Sequence, residues 1–202
     1  MFQSGDEASI SNGGGVSERF AELAKNAFFF LESVRFRLAK SEPGWVSYES
    51  HRASVDVIWD ARSGELDAYV GLLPRTGQSH ETYSLADVRG VDGVPESELR
   101  TPQVAEDRLG PFVQKLAADL RTHAQAALGG DPTYFRRLEA FRAAKSRAYM
   151  REMKLRQVRS EADKAWRDRK FDRIVSLYTS VEGDLTESES RKLDYARRHL
   201  SD

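Results

Sequence analysis

The chain contains no cysteine in 202 residues, so a disulfide framework, a thiolate metal site and a cysteine nucleophile are excluded together. That usage suits a reducing compartment, and a cytoplasmic location is expected. Histidine is nearly as scarce: His51, His80, His123 and His199 complete the set, with no two at metal-ligand spacing and no H-E-x-x-H or H-x-E element. Neither a metal nor a cofactor is expected. No apolar run approaches the roughly 18 residues that a membrane span requires. The densest, Ala27-Phe28-Phe29-Phe30-Leu31, is short and sits inside an amphipathic pattern. The N-terminus lacks a basic segment followed by an apolar one, so neither a signal peptide nor a membrane partner is expected. Gly13-Gly14-Gly15 is not a phosphate loop, because no Gly-Lys-Ser/Thr follows it. A G-x-S-x-G elbow and a Gly-rich nucleotide fingerprint after a strand are also missing.

What is present is a globular composition leaning polar, with 40% hydrophobic and 31% charged residues, which argues against wholesale disorder. A net charge of −1 hides an asymmetry. Between Tyr134 and Arg173 there are fourteen Lys and Arg against six Asp and Glu, leaving seventeen basic and twenty-six acidic residues elsewhere. A basic segment on an acidic body hints at an interaction, or at packing of the segment across the body.

The expected fold class is α+β: an N-terminal helix, a small antiparallel sheet of three to four strands, a long covering helix, then an all-helical extension. Residues 1–16 read as a flexible leader, 17–130 as the body and 131–202 as the extension. Ser17 reads as the N-cap of a helix to about Glu32, with Phe20, Leu23, Ala24, Ala27, Phe30 and Leu31 inward. Val34, Phe36 and Leu38 alternate with Arg35 and Arg37, a strand or a transition into one, and Pro43-Gly44 turns the chain. Val46 and Tyr48, then Val55, Val57 and Trp59, then Leu66, Ala68, Val70 and Leu72 line three strands, with a hairpin at Asp60–Gly64. A loop from Pro74 to Ser79 leads to a short apolar segment at Tyr83–Val88.

A second helix is expected over Val104–Leu128, with Pro111 marking its first turn, and Gly129-Gly130-Asp131-Pro132 is a strong stop. A long helix follows from Thr133 to about Val158; either Ser160 caps a new one or the helix runs on through Trp166. Phe171–Val181 is another, ended by Gly183. Thr186-Glu187-Ser188-Glu189 is a capping box opening the last helix.

Two resemblances attach to particular residues. The stretches Trp45–Ser50, Arg62–Leu66 and Leu128–Asp131, with Phe135 and Leu138, resemble a scattered group of small uncharacterised bacterial α+β proteins, some found in defence or toxin-immunity settings. This covers about the first two-thirds of the chain and implies no catalytic site. Ala165-Trp166, Phe171, Ile174, Val175 and Tyr178 are similar to a helical hairpin of tetratricopeptide type. A single hairpin does not form the concave groove that stacked repeats use.

Few residues invite a chemical role. His80-Glu81 is the sole adjacent His/carboxylate pair and reads as a surface loop pair; Ser79-His80 lacks the elbow a hydrolase needs. Asp56, Asp60, Glu65 and Asp67 are paired carboxylates on one reading and solvent-face or turn residues on the simpler one. Trp45, Tyr48, Trp59 and Tyr69 form either a binding face or cross-strand packing.

The sharpest feature is the long basic helix. At 100° per residue Tyr134, Leu138, Phe141, Tyr149 and Met153 share one face, while Arg136, Arg147, Arg151 and Lys154 form a stripe opposite. Such a stripe suits an acidic protein surface, a phosphate backbone, or a solvated face with Glu139 and Glu152 interleaved. The expected function is a non-enzymatic interaction module, of defence or immunity-accessory type, acting on another protein or on a second copy of itself. Nucleic-acid binding through the basic helix is the alternative, and an enzyme with a site assembled from scattered polar residues is the third reading.

Overall fold

A computed structural model describes residues 13–73 and 81–200. Ser79 and His80 therefore lie outside the described residues, as does most of the expected leader. The fold is α+β, and the chain forms two compact units, one ending at Arg142 and the other beginning at Ala143. That division falls inside a helix, further along the chain than the stop at 129–132.

Unit 1 opens with α1 (Gly13–Phe28), which starts ahead of Ser17, and a single turn, α2 (Phe30–Ser33). Five strands follow: β1 (Arg37–Glu42), β2 (Trp45–Glu49), β3 (Ala53–Trp59), β4 (Leu66–Leu72) and β5 (Thr82–Ser84). They pair antiparallel in chain order, so the sheet has five strands where three to four were expected. The segment at Tyr83–Val88 is where that expectation fell short. It splits into β5 and α3 (Leu85–Val91) because Ser84 and Asp87 close a capping box at the junction.

Register sorts the side chains by face. Val46, Val57 and Ala68 lie in one row, and Tyr48, Val55, Val70 and Tyr83 in the next; every one is buried. The opposite face carries Trp45, Ile58 and Asp67, then Ser47, Asp56, Tyr69 and Ser84. The four aromatics therefore divide between the faces: Tyr48 and Trp59 are core, whereas Trp45 donates its indole N–H to Asp56 at 2.9 Å on the polar side. Asp56 and Asp67 share that polar side, as alternation predicts, while Asp60 and Glu65 belong to the hairpin, where Asp60 accepts from the Arg62 amide at 2.8 Å.

Between β1 and β2 the chain turns at Gly44, whose φ is +77° and where a Cβ would stand 2.8 Å from the Trp59 carbonyl oxygen. Only glycine satisfies both constraints. The apolar face is covered by α1 and by α4 (Leu109–His123) with the short α5 (Gln125–Leu128). Phe20 packs on Trp59 with ring centroids 6.0 Å apart, and Leu109, Val113 and Leu120 are fully buried.

The long helix is α6 (Pro132–Arg167), 36 residues without a break, so it runs on through Trp166. Its first turns belong to unit 1. There Tyr134, Phe135 and Leu138 are buried, and Arg142 donates to the Thr82 carbonyl at 2.7 Å and to Asp87 at 2.9 Å. The remainder of α6 belongs to unit 2, with α7 (Phe171–Thr179) and α8 (Glu187–His199). Val158, Ala162, Ala165, Ile174, Leu177, Tyr178, Val181, Leu193 and Ala196 make its small core. Arg169, in the left-handed region at φ +54°, reverses the chain between α6 and α7. The capping box at Thr186 and Glu189 forms as the sequence predicts.

Candidate functional site

From about Ala144 to Lys154 every residue of α6 is exposed. The sequence explains why it stays helical without packing. Ala144, Ala148, Lys145, Arg147, Met150, Arg151, Glu152 and Met153 are strong helix formers, and Glu152 pairs with Arg156 one turn on. Structure on both flanks removes the nucleation cost that makes an isolated helix of this length marginal.

The four basic residues of the predicted stripe have different fates. Arg136, in unit 1, donates to Thr133 Oγ1 at 3.1 Å. Arg151 donates from Nε to Asp184 Oδ2 at 2.7 Å, with a second ion-pair contact to the same carboxylate. Lys154 donates from Nζ to the Ser180 carbonyl at 3.0 Å. Arg147 has no hydrogen-bond or ion-pair partner among the described residues. Helical spacing accounts for this. Arg147, Arg151 and Lys154 lie on the same face as Val158, Ala162 and Ala165, which are buried in unit 2. The stripe, for which the sequence leaves an acidic surface, a phosphate backbone and a solvated face open, continues into the packing face of unit 2, and two of its charges tie the turn after α7 to α6.

Another set of residues stands free. Tyr149 is 61% exposed, Met150 63% and Met153 43%. Positions 149 and 153 are one turn apart and 150 and 153 are three residues apart, so the three side chains form one continuous apolar strip. Other large exposed apolar residues, such as Phe29, Val34 and Ile58, are scattered singly, which is ordinary for a protein surface. Lys145 and Arg147 flank the strip. The sequence pattern places Tyr149 and Met153 on the apolar face of the helix; Met150, which completes the strip, is missed by a single-phase reading. Its i, i+3 spacing to Met153 is the signal that finds it.

Unit 2 ends in an aromatic cluster in which Phe171 stacks on His199 at 4.9 Å and Tyr195 lies 5.4 Å from Trp166. Its rings mainly fill space against one another. No group of three or more metal-ligating side chains gathers among the described residues. Among those residues, no helix is long and apolar enough to cross a membrane.

No protein-family model, curated protein or solved structure matches this chain.

Proposed function

We propose that the protein is a non-enzymatic interaction module that binds another protein through the exposed middle of α6. The observation that carries this reading is the strip Tyr149-Met150-Met153 on a stretch of α6 whose residues are all exposed. Apolar side chains gathered on an exposed helix face gain free energy when a partner removes them from water, at about 25 cal/mol per Å². Methionine adds adaptability, since its unbranched thioether follows an irregular partner surface. Lys145 and Arg147 beside the strip favour a partner whose apolar patch is rimmed by acidic residues. The reading includes a cytoplasmic location, which suits a chain without cysteine, and a defence or immunity-accessory role, which rests on the resemblance of the body alone.

Nucleic-acid binding is weaker on this geometry. Arg151 is paired with Asp184 and Lys154 is tethered to the Ser180 carbonyl, which leaves Arg136, Lys145 and Arg147 as the cations least engaged within the chain. Few phosphate contacts mean a shallow salt dependence and low affinity.

The test is capture from lysate of the producing cell, with and without nuclease treatment, with three baits in parallel. The wild type should retain one protein in stoichiometric amount. Tyr149→Ser/Met150→Ser/Met153→Ser should lose it, and Arg147→Glu should weaken it in a salt-dependent way. Retention undiminished by the triple substitution, or recovery of nucleic acid that depends on Arg147, would refute the reading.

A further inference from the structure

Unit 1 holds a second feature with different chemistry. β5 pairs with β4 only over Tyr69–Gly71. Beyond it the edge of β4 meets the loop that precedes α4, and the Leu66 amide donates to the Pro102 carbonyl at 3.3 Å. Between β4, α3, this loop and α4 lies a cavity of about 290 Å³. Its charged lining is balanced in sign: Asp67, Glu98 and Asp119 against Arg89, Arg100 and Lys115. Leu85, Phe112 and Leu116 give it an apolar wall.

Two of the charged groups are incompletely paired: Arg89, which is half-buried, and Asp67, which is buried. The Nε of Arg89 is shielded from solvent, and among the described residues no group accepts its proton. Its Nη1 stands 3.7 Å from Asp119 Oδ2, an ion-pair distance that is too long for a hydrogen bond. Asp67 is 9% exposed, and its carboxylate accepts from the amides of Ala68, at 2.8 Å, and Leu85. Among the described residues no cation pairs with it. Burial, with Asp87 and Glu65 adding repulsion, pushes its pKa up to about 6. A buried donor without an acceptor and a buried carboxylate without a counter-ion are each costly, so native proteins seldom keep either without a reason.

We propose that this cavity binds a small zwitterion of amino-acid size, its carboxylate on Arg89, its ammonium on Asp67 and its side chain against Leu85, Phe112 and Leu116. An anion alone would leave Asp67 unpaired; a cation alone would leave the Arg89 guanidinium with only its 3.7 Å contact to Asp119. A neutral apolar ligand would bury both deficits more deeply. Charge balance around the rim fits a ligand with no net charge, and the volume, about 290 Å³, falls just below the roughly 300–1,000 Å³ range of sites for drug-sized molecules, as suits a smaller ligand. The site does not depend on the α6 surface, and each proposal stands or falls separately.

The test uses the full chain, observed by ¹H–¹⁵N correlation spectra, with free apolar L-amino acids such as L-leucine added singly to about 10 mM. The expected result is saturable shifts of Arg89, Thr101 and neighbouring amides. 4-Methylpentanoate and 3-methylbutylamine, which each keep one charge of leucine, should bind at least about tenfold more weakly. Asp67→Asn and Arg89→Gln should each weaken amino-acid binding by about tenfold, and Lys164→Ala should leave it unchanged. Circular dichroism shows whether each variant is folded; if one is not, the comparison of leucine with its two single-charge analogues decides on the wild type alone. No shifts with any apolar amino acid, equal binding of a single-charge analogue, or unchanged binding in both folded variants would overturn the proposal.

Discussion

The two units are stabilised by different means. Unit 1 buries large side chains behind a sheet: Phe20, Phe28, Leu31, Tyr48, Leu66, Leu109, Leu120 and Leu138 are all essentially inaccessible. Unit 2 has a thin core in which three of the nine buried positions are alanine. It compensates with charge-assisted contacts between helices, notably Arg159 to Glu189 at 2.7 Å, Arg173 to Glu161 at 2.6 Å and Lys192 to Asp163 at 3.1 Å. A unit of this size buries a smaller share of its surface than a larger one, so polar contacts and caps carry more of its stability. The two should therefore answer differently to core truncation and to pH.

The largest effect should come from unit 1. Phe28→Ala removes a fully buried ring and should cost about 3–5 kcal/mol. Denaturant unfolding followed by fluorescence in single-tryptophan variants should show that loss where Trp59 is kept, while the transition where Trp166 of unit 2 is kept moves much less. Equal movement of both probes would mean that the units unfold as one.

Acid should separate them by sign. Asp67 has a folded-state pKa raised to about 6, so its ionised form opposes folding, and the stability of unit 1 falls as pH rises from about 4 to 6. Asp67→Asn should therefore stabilise unit 1 by about 1–3 kcal/mol at pH 7.5, with the gain gone near pH 4. Glu189 goes the other way. The hydrogen bond from Arg159, with those from the Thr186 amide and hydroxyl, holds its pKa down to about 2. Its contribution is present above the ordinary carboxylate range and is lost as pH falls through about 4.5 toward 2. With solvent screening allowed for, Glu189→Ala should cost unit 2 about 1 kcal/mol at pH 7 and almost nothing at pH 2. Thermal melts across that range, followed by the two tryptophan probes, read both changes.

The smallest expected effect on stability is at the proposed interface. Tyr149→Ser/Met150→Ser/Met153→Ser should change unfolding free energy by less than about 1 kcal/mol, because these side chains contact little in the free protein. A large loss would show that the strip is structural.

The elements with a strong local signal were legible in the sequence. Period-two alternation in Val55-Val57-Trp59 and Leu66-Ala68-Val70 marks two strands and their buried face, and Thr186–Glu189 marks a helix start to the residue. β5 was not, because three residues give no period to read, and its end is set by a cap at Ser84. The basic stripe was legible as a face but not as a packing face. The buried positions of α6 follow one phase through Leu138 and another from Val158 onward, so one helical wheel drawn over the whole helix mixes them. The cavity had no sequence signal at all: Asp67, Arg89, Lys115 and Asp119 come from three separate elements, and pairing between β4 and β5 decides that they share a wall.

The central claim is that the bare stretch of α6, and no other exposed apolar site, meets a protein partner. A photo-reactive residue placed at Met150 in unit 2, and in a second variant at Phe29 in unit 1, tests it, since the two positions are equally exposed, at 63% and 64%. Irradiated in the producing cell, the Met150 variant should give a single protein adduct that disappears when Tyr149 and Met153 are serine, and the Phe29 variant should give none. No adduct from position 150, an adduct to nucleic acid, or the same adduct from both positions would contradict the account.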